Sequence, residues 1–159
     1  IEQPLAWDDL WEHARLQEKI KTPICLDESI TSIERAAQAI EIGACRWINV
    51  KLGRVGGTTP AREIIAHAAR VGIPCWIGGM LESAIGASHS LALATLPNIC
   101  YPSDIFSSSR FYAEDLGQPE IELSTESTIA ALDKPGIGCT PDARRLAART
   151  IESCQLERQ

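Results

Sequence analysis

Ile24-Cys25-Leu26-Asp27-Glu28-Ser29, taken with Trp47-Ile48-Asn49-Val50-Lys51, decides the fold. Each is a short apolar run, rich in residues that strands favour, and each stops on a charge. The 24-residue step from Asp27 to Lys51 has room for a strand, a loop, a helix and a second loop. If the two runs are neighbouring parallel strands, the carboxylate and the amine emerge side by side at one end of a sheet. Such ends are where α/β barrels and open α/β sheets keep their chemistry.

Working outward, the same alternation recurs. Asp8 and Asp9 offer N-caps, with Glu12 as capping-box partner, for a helix over roughly residues 10–20 that Thr22-Pro23 ends. Thr31 with Glu34 predicts a second capped helix, its buried stripe Ile33, Ala36, Ala37 and Ile40, stopped by Gly43. After Lys51, Gly53-Arg54-Val55-Gly56-Gly57 matches neither a P-loop nor a dinucleotide turn and reads as a loose loop. Thr59-Pro60 opens a third helix with the stripe Ala61, Ile64, Ile65 and Ala68, ended by Gly72. Ile73-Pro74-Cys75-Trp76-Ile77 is a further strand running into Gly78-Gly79-Met80. A mostly apolar helix over about residues 83–96 then leads to Ile99-Cys100-Tyr101 and a loop holding Asp104.

Strand ends thus fall near positions 2, 27, 51, 77 and 102, a regular βα spacing. About five parallel strands wound one way make either an open doubly wound sheet or part of a (β/α)₈ TIM-type barrel. A whole barrel takes about 250 residues and eight strands, so a barrel reading makes this chain the C-terminal half of one. Its outer strands would be unpaired edges unless another chain covers them. Beyond Asp104 come a polar loop at residues 107–110, the alternating Ile121-Glu122-Leu123, and a turn at Pro135-Gly136-Ile137-Gly138. Thr140-Pro141 then caps a C-terminal amphipathic helix through Ala143, Leu146, Ala147 and Thr150. No Gly-, Ser- or Pro-rich linker divides the chain, and residues 1–159 read as one unit.

Composition excludes some partners. A net charge of −6 argues against a nucleic-acid surface and an anionic membrane. The six cysteines are widely separated with no CxxC pair, several inside apolar runs, and read as buried reduced thiols of a cytoplasmic protein. No signal peptide or long apolar span is visible. The four tryptophans read as core, and His13, His67 and His89 as facing solvent or helix packing with no ligand spacing.

A single Glu, Asp or Lys after a strand is ordinarily a solvated loop charge. Recurrence at equivalent strand ends lifts Glu2, Asp27, Lys51 and Asp104 above that reading, while Glu28 points to the other side of its strand. Two carboxylates on adjacent strands can hold a hard divalent cation such as Mg²⁺. A lysine on the next strand can take or give a proton, and glycine amides at Gly78 and Gly79 can bind a substrate carboxylate. Together they suggest abstraction of a proton α to a carboxylate. A lysine Schiff-base enzyme using Lys51 is a further possibility from the same residues.

Ile1-Glu2-Gln3-Pro4-Leu5, Leu26-Asp27-Glu28-Ser29, Ile48-Asn49-Val50-Lys51 with Gly53-Arg54-Val55-Gly56-Gly57, and Gly78-Gly79-Met80-Leu81-Glu82-Ser83 resemble the enolase superfamily. Within it they are similar to the muconate-lactonizing (muconate cycloisomerase-like) subgroup, to o-succinylbenzoate synthases and N-acylamino acid racemases. The resemblance implies Mg²⁺ (or Mn²⁺) held by Glu2 and Asp27, and Lys51 as the acid/base on one face of the α-carbon. The backbone around Gly78, Gly79 and Met80 would bind the substrate carboxylate, with Met80 and Ile85 lining the side-chain pocket. It implies an enediolate intermediate, on the way to o-succinylbenzoate by dehydration in menaquinone synthesis or to a racemised N-acylamino acid. The family's N-terminal capping domain, its Lys-x-Lys motif and its first metal-binding Asp are not in these 159 residues, so the chain alone is expected to be inactive. Asp104-Ile105-Phe106 lacks the second Asp of the dipeptide epimerases. The expected partners are a small-molecule carboxylate and either an oligomer or the missing half of the barrel. The alternative is a non-catalytic half-barrel that assembles with a partner chain.

Overall fold

The Asp9 carboxylate accepts the Glu12 amide at 2.9 Å and starts α1 (Leu10–Lys19), the first element of a computed structural model that describes residues 1–155. The order continues β1 (Cys25–Leu26), α2 (Ile33–Glu41), β2 (Trp47–Val50), α3 (Leu52–Val55), α4 (Thr58–Arg70), β3 (Cys75–Ile77) and α5 (Ala84–Ala94). Two details depart from expectation. Ser32, not Thr31, caps α2 by accepting the Arg35 amide. The supposed loose loop after Lys51 contains α3, which Gly56 closes in the left-handed region at φ +93°.

The sheet is parallel in the order β1-β2-β3, with Leu26 opposite Ile48 and Val50 opposite Ile77. Single parallel bridges, Glu2 with Cys25 and Cys75 with Ile99, add one position at each side. The five expected strands are therefore three strands and two bridges among the described residues. Pro4 and Pro102 cannot donate to a ladder, which shortens both outer runs.

Alternation along β2 divides the sheet. Ile48 and Val50 join Leu26, Ile77, Ala36, Ala39, Ala61 and Ile64 in a core wholly shielded from solvent under the helices. Trp47, Asn49 and Lys51 lie on the opposite, concave face. There Trp47 stacks on Tyr101 with ring centroids 3.9 Å apart, and Trp76 Nε1 donates to Cys25 Sγ at 3.3 Å. These side chains border an open hollow of about 360 Å³ beneath the rim. Trp7 and Trp11, read as core, are 59% and 66% exposed. His13, by contrast, is fully buried and bonds the Asp9 carbonyl.

All six thiols are free; Cys25, Cys45, Cys75 and Cys139 are buried, Cys100 and Cys154 exposed. Burial pushes Cys25 up to about 11, and Cys45 and Cys75 up to about 12, so these three are poor nucleophiles at neutral pH. Among the described residues no helix is long and apolar enough to cross a membrane.

The segment after residue 104 clamps α5. Ser83 makes no side-chain cap; instead the buried Asp115 accepts the Ala84 amide on both carboxylate oxygens at 2.8 Å, and the Leu116 amide at 2.6 Å. A small antiparallel pair, β4 (Gly117–Gln118) with β5 (Thr140–Pro141), packs beside it, followed by α6 (Ala143–Arg149). Asp142 rather than Thr140 caps α6. The expected apolar stripe of α6 buries nothing: Leu146 is 44% exposed, and Arg145 is the residue turned inward, donating to the Asp115 carbonyl and to Glu120. Asp115→Ala strips the buried Ala84 amide and the part-buried Leu116 amide of their acceptor. Urea unfolding should show a loss of about 2 kcal/mol, and a change below about 0.5 kcal/mol would mean the clamp is not stabilising.

Candidate active site

Lys51 is the residue that turns β2 into α3, and its Nζ donates to Asp27 Oδ2 at 2.9 Å. One helical turn later Arg54 donates Nη2 to Asp27 Oδ1 at 2.5 Å, and its Nε to the Ile30 carbonyl at 3.0 Å. Asp27 itself is 4% exposed. A buried carboxylate thus sits between two cations supplied by the next strand and its helix. The sequence reading missed Arg54 because it took residues 53–57 as loop. The available signal was its three-residue offset from Lys51, which shares a helix face.

Gln3 fixes the other side of Asp27. Its Oε1 accepts the Asp27 amide at 3.0 Å and the Ser29 amide at 3.2 Å, while Nε2 donates to Ser29 Oγ at 2.8 Å. Gln3 holds φ +36°, a conformation that non-glycine residues rarely adopt. Next to it, Glu2 Oε1 accepts from Asn49 Nδ2 at 2.8 Å. Asn49 and Lys51 share the concave face, so Glu2 is tied into the array that holds Asp27 and Lys51.

The third side is glycine for steric reasons. A Cβ on Gly78 would lie 2.1 Å from Asn49 Oδ1 and 2.7 Å from Lys51 Cε; one on Gly79 would lie 2.0 Å from the Asp104 carbonyl oxygen. The Gly78 amide is spent on the Val50 carbonyl and the Met80 amide on Glu82 Oε2. The Gly79 amide has no hydrogen-bond partner among the described residues. Tyr112 Oη donates to the Leu81 carbonyl at 2.7 Å and braces this loop from outside. Glu28, Lys51, Arg54, Met80, Leu81 and Glu82 border a cleft of about 700 Å³. Met80 is 55% exposed there. Ile85 is not at the cleft: it packs with Ala84, Ile121 and Cys139 in a second apolar cluster, where a Cβ on Gly117 would meet it. Asp104 is exposed, at the rim beyond Ile77.

Among the described residues no group of three or more His, Cys, Asp and Glu side chains is placed to hold a metal ion. Glu2 and Asp27 supply two hard carboxylates, a donor type and number that suit Mg²⁺, which keeps several of its waters. Beside them the buried Asn49 Oδ1 has no hydrogen-bond partner.

A parallel sheet with carboxylates and a lysine at the carboxyl ends of its strands is the arrangement of an α/β-barrel domain, whose chemistry sits at that end. The chain belongs to the Enolase C-terminal domain-like family, which residues 1–145 match. It is 47% identical over 150 residues to an o-succinylbenzoate synthase of Geobacillus kaustophilus, covering 94% of this chain and 40% of that protein. It is 52% identical over 138 residues to an N-succinylamino acid racemase of Thermus thermophilus, covering 87% and 37%. The crystal structure of an enolase-superfamily member from Listeria innocua superposes with a TM-score of 0.86 at 44% identity, covering 93% of this chain and 40% of that one. A dipeptide epimerase from Cytophaga hutchinsonii, solved with Mg and the dipeptide D-Ala-L-Val, superposes at 0.83 with 27% identity, covering 92% and 40%. The chain therefore spans about 40% of the length of these relatives.

Proposed function

We propose that residues 1–159 are the C-terminal part of the barrel domain of an enzyme that removes the proton α to a carboxylate, acting as an o-succinylbenzoate synthase, an N-acylamino acid racemase, or both. The observation that carries this reading is the Lys51 ammonium 2.9 Å from the buried Asp27 carboxylate, with Glu2 tethered to the same face through Asn49. Lys51 Nζ exchanges the proton with the α-carbon. Asp27, itself fixed by Arg54, holds the lysine at its strand end, and the Gly79 amide is the free donor for the substrate carboxylate. Met80 and Leu81 offer apolar surface to the rest of a small-molecule substrate. A Mg²⁺ or Mn²⁺ ion held by Glu2 and Asp27 would supply positive charge to the carboxylate as its α-proton leaves.

The remaining barrel strands and the capping domain are expected on a longer chain or on a partner in the cytoplasm. The half-barrel reading is favoured by the two single-bridge edges and by the open aromatic hollow under the rim, which further strands would fill. The chain should therefore be inactive alone and active once co-expressed with the N-terminal portion of a relative. The assay is loss of the α-proton signal of an N-succinylamino acid in D₂O by proton NMR, with Mg²⁺ present. Lys51→Ala should slow exchange by at least about 10³-fold in the assembled barrel, and chelation by EDTA should abolish it. Unchanged exchange in Lys51→Ala would overturn the assignment.

A further inference from the structure

Asn49 is 1% exposed, and its two amide atoms have opposite fortunes. Nδ2 donates to Glu2 Oε1, whereas Oδ1 is buried without any partner. The orientation is not arbitrary, because a carboxylate only accepts and so must face the N–H end of the amide. A buried acceptor left empty costs about 1–3 kcal/mol, which demands a reason in a strand as regular as β2. Two features around Oδ1 supply one. Gly78 has no side chain to fill the space there, and the point where its Cβ would stand is 2.1 Å from Asn49 Oδ1 and 2.7 Å from Lys51 Cε. The stem of the lysine therefore already passes the orphaned oxygen, and rotation of its last bonds carries Nζ from Asp27 toward it.

We propose that Asn49 is a positioning residue that bridges the two halves of the site: its N–H end holds the Glu2 carboxylate, and its carbonyl end receives the Lys51 ammonium when Asp27 Oδ2 is engaged elsewhere. This rests on the reading of Glu2 and Asp27 as cation ligands. The lysine has two seats, a charged one on Asp27 and a neutral one on Asn49, and the second keeps it at the rim while its first partner is occupied. Gly78 is what leaves the second seat open.

The test is Mn²⁺ uptake by the 159-residue chain, read from the loss of the free-ion EPR signal, combined with crystallography. Asn49→Leu should weaken Mn²⁺ by about 10-fold or more, as loss of a partner that orients a ligand does. In a Glu2→Gln background the same substitution should change nothing further. Asn49→Ala repeats the measurement if leucine proves too bulky to fold by circular dichroism. In crystals of the Mn²⁺-loaded chain, and in Asp27→Asn without metal, Lys51 Nζ should lie within hydrogen-bond distance of Asn49 Oδ1. Full Mn²⁺ affinity in Asn49→Leu, an additive effect with Glu2→Gln, or an Oδ1 still lacking a donor in Asp27→Asn overturns the inference alone. Mn²⁺ uptake that is the same in the wild-type chain, in Glu2→Gln and in Asp27→Asn overturns the proposed function as well.

Discussion

Asp27→Ala is expected to lower the unfolding free energy by about 3 kcal/mol, the low end of what breaking a buried ion pair from one side costs. The Asp27 side chain is 6% exposed, and its partners Lys51 and Arg54 keep side-chain exposures of 18% and 19%. Removing it leaves two part-shielded cations beside each other with no counter-charge. Partial solvent access spares them the full penalty, which is why the low end applies. The origin of the loss is separable: Asp27→Ala combined with Arg54→Met should recover part of the stability, since one stranded charge goes with it. Lys51→Met alone should cost much less, because Arg54 still pairs with Asp27. Urea unfolding of the four proteins decides it, and a loss below about 1 kcal/mol in Asp27→Ala would show that the pair is screened like a surface one.

Gly79→Ala should be comparably severe and for a different reason. Its Cβ would stand 2.0 Å from the Asp104 carbonyl oxygen, a backbone atom in the neighbouring strand-end loop. No rotamer change relieves that overlap, so the two loops must separate, at a cost at or above the 1–3 kcal/mol typical of overpacking. The separation would also loosen the Asp104 amide from the Ile77 carbonyl, which it now meets at 2.9 Å. Gly53→Ala is the control. It lies in α3 with nothing within 4 Å of a Cβ and no left-handed φ, and alanine there should be neutral or slightly stabilising. Equal thermal unfolding of the two variants would contradict the steric argument.

The parallel βα order and the Asp27–Lys51 pair were readable because both depend on local signals: apolar runs of strand length, a charge at the end of each, and near-constant spacing. What escaped the sequence depends on geometry between distant residues. Arg54 lies in a helix of four residues, too short to show periodicity, between glycines that ordinarily mean loop. Asn49 looks like one more strand residue until Glu2 is seen against it. The α6 stripe has helical periodicity, but periodicity cannot say which face meets the core, and the Arg145 contacts to Asp115 and Glu120 turn the helix the other way. The family resemblance alone puts Ile85 at the side-chain pocket. The first turn of α5 instead carries it toward Ile121, because Asp115 fixes where that helix begins.

The hold of Gln3 on Asp27 makes the site a gauge of strand alignment. Side chains alternate across a sheet, so a one-residue slip of residues 1–3 against β1 would turn Gln3 to the opposite face and withdraw both of its amide contacts. The carboxylate would lose its placement at the same moment that the edge lost its pairing. Misaligned edges, the ordinary hazard of an open parallel sheet, are thereby coupled to loss of the rim's chemistry.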